Sequence, residues 1–239
     1  MIGSLRRLSR KQIFNPGPLG LFLNPFFLAR RALWHEMARQ GGTLAGPMLD
    51  VGCGTKPYRE LFELEEYIGL EIDSPSARTQ SRADYFYDGK KFPFEAEIFN
   101  SVLCNQVLEH VFNPDDFLQE IHRVLRQGGM LLLTVPFVWD EHEQPYDYAR
   151  YSTFGLKSLL ERNGFNVLTQ KKLLADSSIL FQLINAYLFK VFHTRSALVN
   201  RLTVALLIAP VSALGLVFGA LLPKNDDLFL DQLILAKRC

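Results

Sequence analysis

The sequence has little cysteine. Its three thiols, Cys53, Cys104 and Cys239, make no C-x-x-C pair. That excludes a disulfide framework and a thiolate zinc site of ordinary spacing. An odd count is expected of a chain kept in a reducing compartment. Net charge is also nearly missing: 26 Lys and Arg face 25 Asp and Glu, leaving +1. Residues 41–239 are net −5, which repels phosphates and argues against a nucleic-acid partner. No H-x-x-x-H pair occurs, and the ligand-rich run Asp140, Glu141, His142 and Glu143 is consecutive, so its members cannot all face one ion. No metal is expected. An export signal is not expected either. The apolar run GPLGLFLNPFFLA is broken by Pro18 and Pro25, and Arg30-Arg31 follows without a small-residue cleavage pattern.

What is present is apolar and unevenly distributed. Hydrophobic residues make up 48% and charged residues 21%, which suits a sizeable core and excludes wholesale disorder. Residues 1–40 carry Arg6, Arg7, Arg10, Lys11, Arg30, Arg31 and Arg39 against Glu36 alone, a local charge of +6. Phe14, Leu19, Leu21, Phe22, Phe26, Phe27 and Trp34 are interleaved with them. Such an arm suits an anionic membrane surface, or an amphipathic helix packed on its own domain. Near the other end, LTVALLIAPVSALGLVFGALL runs from Leu202 to Leu222 without a charge. At about 1.5 Å per residue it would reach about 31 Å as a helix, close to the thickness of a bilayer core.

Between these zones, apolar runs alternate with helical patterns from Met48 to Lys172, the mark of βαβ units and a parallel sheet. Strands are expected near 47–51, 67–72, 84–87, 99–104, 130–135 and 165–171. Helices are expected near 25–40, 57–65, 114–126 and 152–163. Pro114 fits a first helical turn and Gly128-Gly129 that helix's end. Ser152 or Thr153 can cap the next helix, and Gly164 can stop it.

The segment MLDVGCGTKPYRELF, residues 48–62, reads as a strand ending in Asp50, a turn through Gly52 and Gly54, and an entry into a helix. Glycines there let a ligand approach the backbone closely. YIGLEID follows, a second strand ending in Glu71 and Asp73, where an acid can accept hydrogen bonds from ribose hydroxyls. Pro57 stands where a dinucleotide G-x-G-x-x-G loop needs its third glycine, which argues against NAD. The loop also lacks a Walker lysine.

LDVGCGTKPY, YIGLEID, DGKKFPF, SVLCNQVLEHV and RVLRQGGMLLLTVPF occur in that order. The series resembles the class I S-adenosylmethionine-dependent methyltransferases over about residues 48–171. The resemblance implies a Rossmann-like α/β fold with a seven-stranded sheet and S-adenosylmethionine as cofactor. It implies that Asp50, Gly52 and Gly54 line the methionine end, and that Glu71, with Asp73 as rival, holds the ribose. Asp88, with Gly89 beside it, matches the acid near the adenine. Asn105 and Gln106 fall where the family contacts the region of the sulfonium. Lys56 departs from the family's frequent third glycine.

Methyl transfer from a sulfonium is mostly a matter of positioning the acceptor. An alcohol acceptor also calls for a base, and histidine is the usual one near neutral pH. His142, in DEHEQPYDYARYS, follows the fifth strand. His110, in LEHV, follows the fourth. Both fall on the face where open α/β sheets bind ligands. Residues 138–151 are read as an acceptor-binding loop, with an ordinary solvated loop as the plain alternative. The expected catalytic groups are His142 and His110, and Glu-His can also be structural.

The family fold closes by pairing its sixth and seventh strands, which suits GFNVLTQKK and DLFLDQLILAK. Residues 173–224 are then an insertion whose two ends lie together, so a single membrane crossing is excluded. Lys190 and Arg195 burden a double crossing, and Pro210 and Gly215 bend or weaken the second helix near its middle. A monotopic hairpin in one leaflet is expected, with a buried lid or dimer interface as the alternative. The expected organisation is therefore 1–45 arm, 46–172 cofactor-binding core, 173–224 membrane-associating insertion and 225–239 final strand. DEHEQPYDYARYS and the insertion resemble methyltransferases of bacterial surface-glycan pathways. That resemblance implies O-methylation of a sugar or lipid-linked glycan at the cytoplasmic face of a membrane. A lipid or quinone acceptor, and a non-catalytic membrane scaffold, are the rivals.

Overall fold

The computed structural model describes residues 12–239. Arg6, Arg7, Arg10 and Lys11 of the basic arm lie outside the described residues. Two compact units are present. Among the described residues, the first comprises 12–36, 138–140 and 172–231, and the second 37–137, 141–171 and 232–239.

The second unit is built on a seven-stranded mixed sheet in the order β3-β2-β1-β4-β5-β7-β6. The strands are β1 (Met48–Val51), β2 (Tyr67–Ile72), β3 (Tyr85–Tyr87), β4 (Phe99–Asn105), β5 (Leu125–Pro136), β6 (Phe165–Leu173) and β7 (Asp231–Arg238). β1 pairs parallel with β2 and β4, β2 with β3, and β4 with β5. This is the doubly wound arrangement implied by the sequence. Leu49, Val51, Val102, Leu131 and Leu133 are fully buried at its centre, as near-continuous apolar strands of a covered parallel sheet must be.

Helices α3 (Pro75–Gln80), α4 (Pro114–Val124) and α5 (Thr153–Arg162) belong to this unit. α4 begins with Pro114, places Asp115 and Asp116 in its first turn and His122 and Arg123 in its last, and buries Phe117, Leu118, Ile121 and Val124 on one face. Its charges oppose the helix dipole at both ends. Ser152 Oγ accepts the Gly155 N–H to cap α5, and Gly164 follows its end at φ +81°.

Two local expectations are corrected. Residues 57–65 form no α-helix. The segment makes one 3-10 turn, Arg59–Leu61, and is otherwise irregular. Glu60, Glu63, Glu65 and Glu66 would have crowded that helix towards its negative C-terminal end. Gly128-Gly129 does not end α4, which stops at Val124. β5 starts at Leu125, and its register with β4 shifts between Phe99 and Ser101. Gly128 at φ +74° thus marks an irregularity within a strand pairing, a common place for glycine.

The first unit is helical. It holds α1 (Gly20–Leu23), most of α2 (Phe27–Gln40), α6 (Ser178–Phe192) and α7 (Ala197–Leu221). α7 turns through a π segment at Val204–Ile208 and returns to α geometry before Pro210. Proline has no N–H and crowds the carbonyl four residues back, here Leu206, so the looser turn accommodates it. Gly215 was expected to weaken this helix. Its structural use is contact: a Cβ there would stand 2.8 Å from Leu28 Cδ1 and 2.9 Å from Phe181 Cβ. α6 and α7 thus approach closely at a small residue.

The hairpin buries a few polar side chains among its apolar ones and leaves many apolar residues exposed. Gln182, Asn185 and Ser212 are fully buried. Asn185 Nδ2 donates to Ser212 Oγ at 2.8 Å, and Gln182 Oε1 accepts the Ala29 N–H at 3.2 Å. Leu180, Tyr187, Val191, Leu202, Leu206, Leu214, Val217 and Leu221 face outward and are exposed. α7 is long and apolar enough to cross a membrane by length and composition, whereas α6 has only 15 residues. The Leu230 N–H donates to the Leu173 carbonyl at 3.0 Å, so the ends of the insertion meet.

Candidate functional site

β1 delivers Asp50 and then releases the chain into a loop of alternating left-handed residues, Gly52 at φ +68°, Gly54 at +47° and Lys56 at +54°. Lysine, at the position of the family's frequent third glycine, adopts a left-handed conformation that glycine takes without strain. Lys56 holds it by an ion pair with Asp84, whose Oδ2 also accepts the Gly69 N–H at 2.7 Å. Asp84 was not foreseen. Its only sequence signal is its place just before β3.

Glu71, at the end of β2, reaches back to the loop. Its Oε2 accepts the Gly54 N–H at 2.9 Å and its Oε1 the Ile72 N–H at 3.2 Å. The acid expected at the ribose thus stands at the glycine turn. A Cβ on Gly54 would meet nothing within 4 Å, so the backbone there is open to an approaching ligand. Asp73, the rival acid, is engaged elsewhere: Arg78 grips it with two bonds of 2.6 and 2.7 Å, which hold its carboxyl below the usual range.

Asp50 is buried behind the loop, and the Tyr67 hydroxyl donates to its Oδ2 at 2.6 Å. Burial pushes its pKa up to about 7, against the opposing hydrogen bond and the Lys56 charge. Burial likewise pushes the Cys53 thiol up to about 12 and Cys104 well above its ordinary value, so neither is poised as a nucleophile. Asp88 turns its own chain, its Oδ1 accepting the N–H groups of Lys90 and Lys91 at 3.0 and 3.3 Å, with Gly89 at φ +83° beside it. At the end of β4, buried Thr134 donates to Asn105 Oδ1 at 2.7 Å, and the Thr134 carbonyl accepts the Gln106 N–H at 3.0 Å. Gln106 is thereby held at φ +55°, a strained setting for a non-glycine residue of the kind found at ligand sites.

The two expected histidines meet. Val107 opens the 3-10 turn Leu108–His110, and loop 141–151 folds onto that turn. The N–H groups of Tyr148 and Ala149 both donate to the Glu109 carbonyl, at 2.9 and 3.2 Å. His110 Nδ1 lies 2.9 Å from the Tyr146 carbonyl, and the His110 and His142 rings are 4.8 Å apart, edge to face. Burial lowers the His110 pKa. His142 is steered by Asp147. Asp147 Oδ2 accepts the His142 N–H at 3.0 Å and lies 3.4 Å from its Nδ1. Arg150 clamps Asp147 with bonds of 2.5 and 2.7 Å and holds its carboxyl far below the usual range. Asp147 falls within the loop singled out in the sequence, but its role depends on a fold no spacing reveals. The remaining members of that run divide, with Val138, Trp139 and Asp140 in the first unit and residues 141–151 in the second.

The glycine loop and the histidine turn touch. A Cβ on Gly52 would stand 2.3 Å from Val107 Cγ2. Gly52 is therefore required by packing as well as by its positive φ.

Residues 49–133 match the family described as "Methyltransferase domain". The chain is 33% identical over 117 residues to an uncharacterised methyltransferase of Mycolicibacterium vanbaalenii, 45% of each chain. It is 30% identical over 93 residues to an uncharacterised protein of Methanocaldococcus jannaschii, 38% of this chain and 44% of that one. It thus spans less than half the length of the curated relatives it matches. Among solved structures, an S-adenosylmethionine-dependent methyltransferase from Mesorhizobium loti superposes with a TM-score of 0.54 at 14% identity, over 88% of this chain and 100% of the other. Phosphoethanolamine N-methyltransferase 2 of Haemonchus contortus, in complex with S-adenosyl-L-methionine, gives 0.53 at 15%, over 87% and 52%. The cyclase SpnF gives 0.55 at 20%, over 88% and 82%. At these identities the likeness is one of fold, and a cyclase shares it. The matched segment, the sheet order and the left-handed loop pinned by Glu71 together support the class I S-adenosylmethionine-dependent methyltransferase superfamily, with S-adenosylmethionine as cofactor.

Proposed function

We propose that this chain transfers the methyl group of S-adenosylmethionine to a hydroxyl of a sugar or lipid-linked glycan, at the cytoplasmic face of a membrane. The observation that carries the transfer is the contact between Gly52 and Val107. It joins the cofactor loop to the turn bearing His110, and through His110 to His142. The acceptor oxygen attacks the methyl carbon, the C–S bond breaks, and an ether and S-adenosylhomocysteine result. The sulfonium is already a good leaving group, so rate comes chiefly from holding the oxygen in line. The hydroxyl proton is lost at the histidine pair, which activates the oxygen.

The sugar acceptor follows from the resemblance of DEHEQPYDYARYS to glycan-pathway enzymes. Exposed rings of Phe112, Tyr146 and Tyr148 near the pair add apolar faces for a sugar ring. Membrane association rests on the hairpin, which buries Gln182, Asn185 and Ser212 and exposes its leucines. A lipid or quinone acceptor is the second reading, favoured by the same apolar face. A non-catalytic scaffold is the reading of another class. It would need neither the Glu71–Gly54 bond nor the Asp147–His142 pair.

Radiolabelled S-adenosylmethionine supplied with the chain to membranes of its host, followed by solvent extraction, tests the proposal. Label in the extract that mild acid releases is expected. Acid-stable label would replace the glycan with a lipid or quinone. No transfer to membrane or soluble acceptors, with cofactor binding intact by calorimetry, would leave the scaffold.

A further inference from the structure

We propose that Glu109, His110 and His142 form a site for a divalent transition-metal ion. One donor atom from each lies within 4.8 Å of the others. No motif signals this, and the sequence reading expected no metal. The ligand-rich run 140–143 is consecutive, but the fold takes one residue from it and sets that residue against a turn at the end of another strand. Bonds of about 2.0–2.2 Å would draw the three donors together around one ion.

The surroundings suit coordination. The Tyr146 carbonyl only accepts hydrogen bonds, so His110 carries its proton on Nδ1 and leaves the Nε2 lone pair available. Asp147, 3.4 Å from His142 Nδ1, favours the same tautomer there, and it is itself anchored by Arg150. A carboxylate behind one histidine and a carbonyl behind the other form the outer shell typical of imidazole-bound metals. Glu109 supplies the charge. Its side chain is fully buried, with Oε1 3.8 Å from His110 Nε2, and its backbone carbonyl is tied by two N–H groups of the same loop. Two imidazoles and one carboxylate suit a zinc-, cobalt- or manganese-like ion and leave coordination positions open.

The role of the ion rests on the methyl-transfer reading, whereas its binding does not. With the ion bound, an acceptor hydroxyl entering an open position would lose its proton to solvent as it coordinates, in place of direct uptake by a histidine. The oxygen then attacks the methyl carbon with no change of oxidation state. The histidines activate the acceptor through the ion.

The test uses the full, tag-free chain in detergent micelles, stripped with a chelator, dialysed and titrated with Co2+. One equivalent should bind and give a visible d–d absorption band. Glu109→Gln and His142→Ala should each abolish the band, and Asp147→Asn should weaken binding by roughly 10–100-fold. Calorimetric affinity for S-adenosylhomocysteine should stay unchanged, showing that each variant is folded. Absence of binding to the parent chain, or a band that survives both ligand substitutions, overturns the site. Full methyl transfer by the stripped chain overturns the Lewis-acid role and returns His142 to a simple base. Cobalt binding without transfer to any acceptor would leave the site standing and sink the methyltransferase reading.

Discussion

At the scale of single residues, conformation and chemistry are set together. Lys56 occupies a left-handed position that glycine usually fills, and its ion pair with Asp84 holds it there. Gly54 is the cleaner place to test the cofactor loop, because Gly52 is also wedged against Val107 and its replacement by valine would disturb packing. Gly54→Val should weaken S-adenosylhomocysteine binding by roughly tenfold or more, since a left-handed conformation costs an L-residue about 1–2 kcal/mol. Unchanged calorimetric affinity would remove Gly54 from the site. Asp50 provides a second test. Its pKa is raised to about 7 when folded, against about 3.9 unfolded. Below both values the carboxyl is neutral in both states. As pH rises between them, only the unfolded chain ionises, and the folded state loses about 1.4 kcal/mol per unit. Above the folded pKa the loss stops growing. The melting temperature of Asp50→Asn should therefore gain on that of the parent chain from pH 4 to 7 and run level beyond it. A constant gap would refute the buried, protonated Asp50.

At the scale of elements, the sequence was most legible where periodicity ran long. All seven strands occur close to their expected places, and the buried central ones among them, β1 and β4, carry the near-continuous apolar runs of a covered parallel sheet. The helix expected over 57–65 did not form. A glycine turn followed by an apolar pattern also fits an irregular crossover with a single 3-10 turn. The start of β5 was missed because its first residues, Leu125–Gly129, are mostly polar or glycine and lie beside the register shift. The loop and Glu71 were readable from motif spacing. Tyr67, Thr134, Asp147 and Glu109 were not, since each acts through a contact across the sheet or between loops. For the hairpin, the proposed membrane contact rests on the outward leucines. Leu206 and Leu221 are 73% and 74% exposed. Replacing both with lysine should weaken flotation with anionic vesicles, at about 1.5–3 kcal/mol for each leucine taken from lipid. Cofactor affinity should not change. Undiminished flotation of the double variant would reassign this face to a protein partner.

At the scale of the whole molecule, β7 lies between β5 and β6 in the sheet, yet the entire hairpin precedes it in the chain. The ribosome therefore delivers α6 and α7 while the sheet still lacks an interior strand. Until β7 arrives, strand edges and exposed leucines are both available to neighbouring chains, a combination that invites aggregation. If the proposed membrane association holds, a nearby bilayer would take up the hairpin during that interval. On the membrane association proposed above, the timing of synthesis would matter as much as the finished surface.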